Sequence, residues 1–207
     1  MNDLQKILKF LNKIEKLKTV KRAISISDNS RKESPAEHTR RVAIMAMIFS
    51  RQLKIKVDIL KTIEIILVHD IIESIAWDIR ITDKNDTKAI QEQKEKELKA
   101  SKKLYWILPK EIWKELESLR LEYENWTSKE WKFAKALDKI EVLIQRMDLR
   151  VKNREKREFN IYEVLMWRAD KPVEKVPELK SFLKLVKEEI TKDYKKNLKN
   201  KILNVDK

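Results

Sequence analysis

Apolar residues recur at helical spacing from the first turn of the chain. Leu4, Ile7, Leu8, Leu11 and Ile14 lie three or four positions apart and predict an amphipathic helix over residues 3–17. The pattern lapses over 19–33, which reads as a loop. It resumes at Ser34-Pro35-Ala36-Glu37. Serine at the N-cap, proline at the first helical position and glutamate at the third predict a capping box. Val42, Met45, Ala46 and Phe49 then carry an inward face to about Leu53.

Residues 57–76 are the most apolar stretch: Ile59, Leu60, Ile63, Ile65, Ile66, Leu67, Val68, Ile71, Ile72 and Ile75. They are apolar on nearly every side, which predicts one central buried helix. Residues 78–86 are polar and loop-like. Further helices are predicted from Thr87 to Trp106, from Pro109 to Tyr123, and from Thr127 to about Lys152. In the last of these Phe133, Leu137, Ile140, Leu143 and Ile144 face inward. A helix near 160–168, a break at Pro172–Pro177 and a final helix near 178–200 complete the chain. No stretch alternates with the period of a strand, and no repeat or low-complexity linker appears. The expected fold is all-α, as a single domain over residues 1–207.

Composition sharpens this reading. The 207 residues include no glycine and no cysteine, where average usage would give about 7% Gly, or roughly 14. Glycine-built phosphate loops and dinucleotide turns are therefore excluded. So is the usual left-handed glycine at helix ends, which leaves Asn or Lys to close helices. Without cysteine there are no disulfides, thiolate metal sites or thiol chemistry. Any transition-metal site must use His, Asp and Glu, and the chain has two histidines.

Charged residues make up 40% of the chain and the net charge is +14. The excess sits at the ends: +6 over residues 1–32, +7 over 150–207 and +1 between them. That distribution weighs against a dedicated nucleic-acid groove without excluding one. No signal-like core or membrane-length apolar run appears, so a cytoplasmic protein without membrane association is expected.

Polar chemistry is embedded in the apolar segments. His69-Asp70-Ile71-Ile72-Glu73 lies inside the isoleucine run. On a continuous helix, His69 and Glu73 would share a face with Asp70 beside them. Buried polar groups are costly unless satisfied, and a divalent cation satisfies several at once. The other histidine, His38, sits in the first turn of the capped helix. Asp138 interrupts the apolar face Phe133–Ile140. Singly, each has a plain explanation as a core histidine, a cap or an ion-pair partner. Together, both histidines and two acids on three strongly apolar helices point to a metal site. A divalent ion is expected, and mixed His–carboxylate ligation admits Mn, Co, Fe, Ni, Zn or Mg.

The ordered set His38, His69-Asp70, Glu73, Asp78 and Asp138 resembles the HD-domain phosphohydrolase superfamily. Glu33-Ser-Pro-Ala-Glu37-His38, Leu67-Val-His69-Asp70-Ile-Ile-Glu73-Ser-Ile-Ala-Trp77-Asp78 and Lys135-Ala-Leu-Asp138-Lys139 are similar to its 5'-deoxynucleotidase branch. The resemblance covers roughly residues 15–150. It implies an HD-domain helical bundle carrying extra C-terminal helices over about 151–207, often as a homodimer. It implies His38, His69, Asp70 and Asp138 as metal ligands. Glu73 and Asp78 match acids that act on the attacking water, the leaving group or the sugar. Arg22 matches a basic residue that orients the phosphate, and Lys135 a lysine one turn before the last ligand.

The implied reaction is hydrolysis of 2′-deoxynucleoside 5′-monophosphates, with a small nucleotide as substrate. Cyclic-nucleotide or nucleoside-triphosphate hydrolysis, and a basic helical nucleic-acid-binding role, stand as alternatives. Plain readings remain beside the implied roles: a solvated loop cation for Arg22, a surface ion pair for Lys135, and for Glu73 a carboxylate that orients His69. The sequence departs from the family at Ala23, Trp77 and Ile79-Arg80-Ile81, which bear on substrate choice. Trp77, beside Asp78, is a candidate surface for the base. Trp106, Trp113, Trp126 and Trp131 read as core or dimer-contact residues.

Overall fold

The N-terminus of the second helix is fixed by the chemistry its sequence announces. In the computed structural model, which describes residues 1–76, 87–125, 128–148 and 166–205, this helix, α2, spans Pro35–Gln52 and follows α1 at Asp3–Ile14. The Glu37 amide donates to Ser34 Oγ, and the Ser34 amide donates to Glu37 Oε2 at 2.9 Å. Arg31 grips the same carboxylate through both terminal nitrogens. That pairing, with the Ser34 bonds, holds Glu37 down to about 2. Its contribution to stability is therefore present above its ordinary value of 4.5 and is lost as pH falls toward 2. Glu37 is exposed, so solvent screening keeps the effect small. Glu37→Gln is expected to lower the denaturant midpoint at pH 7, with the deficit shrinking through that acid window. A deficit that stays constant there would remove the charge from the explanation.

Among the described residues, two non-glycine residues have positive φ, where glycine is usual. Lys54 closes α2 with φ 52°. Its amide bonds the Arg51 carbonyl, and the next amide, Ile55, bonds the Ser50 carbonyl. This is the paired closure that normally recruits a left-handed glycine. Asn29, φ 60°, turns the loop before α2. That loop is more ordered than its composition suggests. The Arg22 amide donates to the Glu33 carbonyl, Ser25 pairs across to Lys32, and the Ile26 amide reaches the Arg31 carbonyl.

The central helix is shorter than its hydrophobicity predicts. Helix α3 spans Ile59–His69, and a separate turn of helix, α4, spans Glu73–Ala76. Between them the chain takes tight turns, with the Ile71 amide on Val68 and the Glu73 amide on Asp70. The cause is a side chain. His69 Nδ1 takes the Ile66 carbonyl, the acceptor that a continuing helix would offer to the Asp70 amide. The Asp70 amide turns to Val68 instead. The expected single helix over 57–76 is thus corrected to a helix and a turn, and His69 and Glu73 are no longer one turn apart on one face.

Helix α5 spans Thr87–Tyr105, α6 Lys110–Asn125 and α7 Lys129–Asp148. After them come α8 at Asp170–Glu174 and α9 at Lys180–Val205. The main core is built on α7, whose Phe133, Leu137, Ile140 and Leu143 pack with Val42 and Met45 of α2 and Ile65 and Ile66 of α3. Val173, Leu183, Val186 and Ile190 from α8 and α9 join the same cluster. A second cluster joins α1, α3 and α5 through Phe10, Val68, Leu104 and Tyr105. Helix α1 turns only part of its apolar face inward: Ile7 and Ile14 pack against that cluster, whereas Leu4 is 77% exposed and Leu8 60%. Among the tryptophans Trp131 is buried in the main core and Trp113 packs against the second cluster. Trp106 is 64% exposed and so is not a core residue. Trp126 and most of the helix expected near 160–168 lie outside the described residues. Among the described residues there is no strand, and no helix is long and apolar enough to cross a membrane.

Candidate metal centre

Three helices bring the candidate ligands to one buried point. His38 comes from the first turn of α2, His69 from the last residue of α3, and Asp138 from the middle of α7. One ligand atom from each lies within 4.8 Å of the other two, and all three residues are buried. The two imidazole centroids are 6.0 Å apart. Asp70, the cap residue of α3, lies beside them with Oδ1 3.1 Å from His69 Nε2.

Each imidazole is oriented through its other nitrogen. His69 Nδ1 donates to the Ile66 carbonyl, so Nε2 faces Asp70. His38 Nδ1 meets Glu141 Oε2 at 2.5 Å, and its Nε2 lies 3.2 Å from Asp138 Oδ1. Burial would lower the His38 pKa, but Asp138 and Glu141 outweigh it and push it up to about 9. A metal ion held at Nε2 would take the place of a ring proton there, so binding would release a proton. Burial also opposes ionisation of Asp70 and Asp138. His69, Arg22 and His38 hold Asp70 below the usual carboxylate range, and Lys139, His38 and Lys135 do so for Asp138. Two ionised carboxylates and two oriented imidazoles, shielded from water, form a donor set suited to a divalent cation of borderline softness.

Arg22 belongs to this cluster rather than to solvent. Its Nη1 donates to Asp70 Oδ2 at 3.1 Å, and its Nε lies 3.3 Å from Glu33. Burial opposes its charge, yet Asp70, Asp138, Glu73 and Glu33 together hold it firmly cationic. The loop that carries it is tied to α7 by Gln145, which donates to the Ser25 carbonyl at 2.8 Å. Glu73 opens α4 beside this group. Lys135 also turns to the site: its Nζ donates to the Tyr123 hydroxyl at 2.8 Å and lies 3.8 Å from Asp138. Trp77, Asp78, Ile79 and Ile81 lie outside the described residues. Ala23 is exposed next to Arg22.

The sequence reading missed three contributors. Tyr123 donates to Asp138 Oδ2 at 2.8 Å and stacks 4.9 Å from His69. Glu141 holds His38, and Gln145 holds the Arg22 loop. A signal for two of them was present. Asp138, Glu141 and Gln145 recur at spacings of three and four, as a polar stripe on an otherwise apolar helix.

Comparison with known proteins places the chain in a family. The HD domain family model matches residues 14–180. The chain is 38% identical to the 5'-deoxynucleotidase HDDC2 of Mus musculus over 140 residues, covering 67% of each protein. It is 36% identical to the Homo sapiens counterpart, covering 67% of this chain and 66% of that protein. Among solved structures, a predicted metal-dependent phosphohydrolase from Magnetospirillum magnetotacticum is similar with a TM-score of 0.76 and 28% identity. That match covers 92% of this chain and 94% of the other.

Proposed function

The chain belongs to the HD-domain family, and we propose that it hydrolyses the phosphate monoester of 2′-deoxynucleoside 5′-monophosphates. The observation that carries the reading is the convergence of His38, His69 and Asp138 on one buried point, with Arg22 on Asp70 beside it. The substrate class rests on the relatives named 5'-deoxynucleotidases. His38, His69, Asp70 and Asp138 would hold one divalent ion. When bound, that ion polarises the phosphoryl group and makes a nearby water more acidic.

The protein's own residues complete the reaction. Arg22 offers a planar fork to the non-bridging phosphate oxygens. Asp70 and Glu33 aim that fork from two sides. Lys135 adds positive charge on the Tyr123 side. Glu73 takes a proton from water as its oxygen bonds to phosphorus. The bond from phosphorus to the 5′ oxygen breaks, and that oxygen leaves with a proton. Asp78 would supply that proton or contact the sugar, with Trp77 beside the base. Self-association is part of the proposal, supported by exposed Ile44, Met47 and Ile48 on α2 and Leu60 and Leu67 on the adjoining α3.

The test is phosphate release from a panel of nucleotides. Release from deoxynucleoside monophosphates is expected, with loss after chelation and recovery on adding a divalent ion. Release from triphosphates or cyclic nucleotides alone would overturn the substrate assignment. Light scattering that reports a monomer would remove the self-association.

A further inference from the structure

Glu141 is a fully buried carboxylate outside the four expected ligands. It sits three residues beyond Asp138 on α7, so both acids project from one face toward α2. Its Oε2 is 2.5 Å from His38 Nδ1, and its Oε1 lies 3.5 Å from Arg41 Nε. A buried acid of this kind is costly unless its partners match it.

Two roles are open to Glu141. With Glu33 and His38 it forms a second close group of potential ligand atoms, all within 4.8 Å. But it meets the ring at Nδ1, whereas Asp138 lies at Nε2 on the opposite edge. One imidazole cannot both donate from Nδ1 to Glu141 and ligate through it. The comparison with His69 decides between the roles. That ring also uses Nδ1 as a donor, to the Ile66 carbonyl, and also turns Nε2 to the centre. The two rings share one orientation, secured once by backbone and once by a removable carboxylate.

We infer that Glu141 is a positioning residue that fixes His38 as the Nδ1–H tautomer and raises the donor strength of Nε2 toward the metal. Arg41 Nε faces the other carboxylate oxygen of Glu141, so α2 carries both the ligand and the cation that steadies the ligand's partner. Carboxylate partners of this kind change metal affinity by about 10–100-fold when removed. The inference rests on the metal reading of the site.

The test uses the full chain, stripped with chelator and titrated with Co²⁺ or Zn²⁺ alone. Glu141→Ala is expected to weaken binding by about 10–100-fold. Glu141→Gln keeps an oxygen to accept from Nδ1–H and is expected to recover most of the loss. With only two histidines in the chain, ¹⁵N-histidine spectra of the Zn²⁺-loaded protein resolve the rings separately. Wild type and Glu141→Gln are expected to show Nδ1–H on both. Glu141→Ala is expected to lose that signature at His38 and keep it at His69.

Equal losses of affinity in the Gln and Ala variants would make Glu141 a ligand and overturn the inference. So would a wild-type His38 bearing its proton on Nε2, which decides the matter even if the Ala variant does not fold. Failure of the wild type to bind either ion would remove the metal reading itself. Tight binding indifferent to Glu141 would remove only this inference.

Discussion

Asp138→Asn is expected to bind Zn²⁺ at least about 100-fold more weakly than the unaltered protein. Phosphate release is expected to fall by about 10³-fold or more, equivalent to ~4 kcal/mol of lost transition-state stabilisation. The substitution preserves volume and removes one negative charge. Asp138 is where the site's charge is most concentrated. Its Oδ1 faces His38 Nε2, while Oδ2 accepts from Tyr123 at 2.8 Å and lies 2.9 Å from Lys139. An amide in its place leaves the two lysines and Arg22 facing a site with one carboxylate fewer, which disfavours a further cation. Calorimetric Zn²⁺ titration and phosphate assays measure the two effects, and a melting curve shows that the variant is folded. A folded variant that binds Zn²⁺ at full strength would remove Asp138 from the ligand set.

The chance to pick Asp138, His38 and His69 out of the sequence came from contrast. Each is a polar residue set in an otherwise apolar helical face, and burial of such residues demands a partner. The same contrast does not exist for Arg22. In a chain with 40% charged residues, a loop arginine is unremarked until the backbone pairing of residues 22–33 and the Gln145 anchor place it on Asp70. Only the family resemblance singled it out. Glu141 was less plain: it follows Asp138 and Lys139, and only its place in the stripe Asp138, Glu141 and Gln145 sets it apart from a solvent-facing acid.

The break after His69 was hidden for a physical reason. Hydrophobic periodicity reports which residues are buried, and Val68, Ile72 and Ser74 are all buried across the break. It does not report that an imidazole has taken a helical carbonyl. The lack of glycine was the better guide to one terminus, since Lys54 closes α2 in the left-handed position that glycine usually fills. The break also matters for the chemistry. It moves Asp70 off the helical path and onto Arg22, and it sets Glu73 at the start of a new turn of helix rather than above His69.

That displacement gives the second large effect its direction. Glu73→Gln is expected to lower kcat by about 10²–10⁴-fold, the range of a lost proton-transfer group, while Zn²⁺ affinity stays within about threefold. One competing role for Glu73 is to orient His69, which would tie its loss to metal binding. The geometry disfavours it, because His69 Nδ1 is already held by the Ile66 carbonyl. Glu73 adds to the negative field around Arg22, which Asp70, Asp138 and Glu33 also shape. A carboxylate near the cation proposed to orient the phosphate, but not needed to aim a ligand, fits the proposed role of accepting a proton from the attacking water. Gln retains the shape and hydrogen-bonding reach of Glu73 but cannot take that proton. Activity should therefore fall with the metal still in place. Parallel loss of metal and activity would instead assign Glu73 to holding the ion, and unchanged kcat would exclude it from the proton transfer.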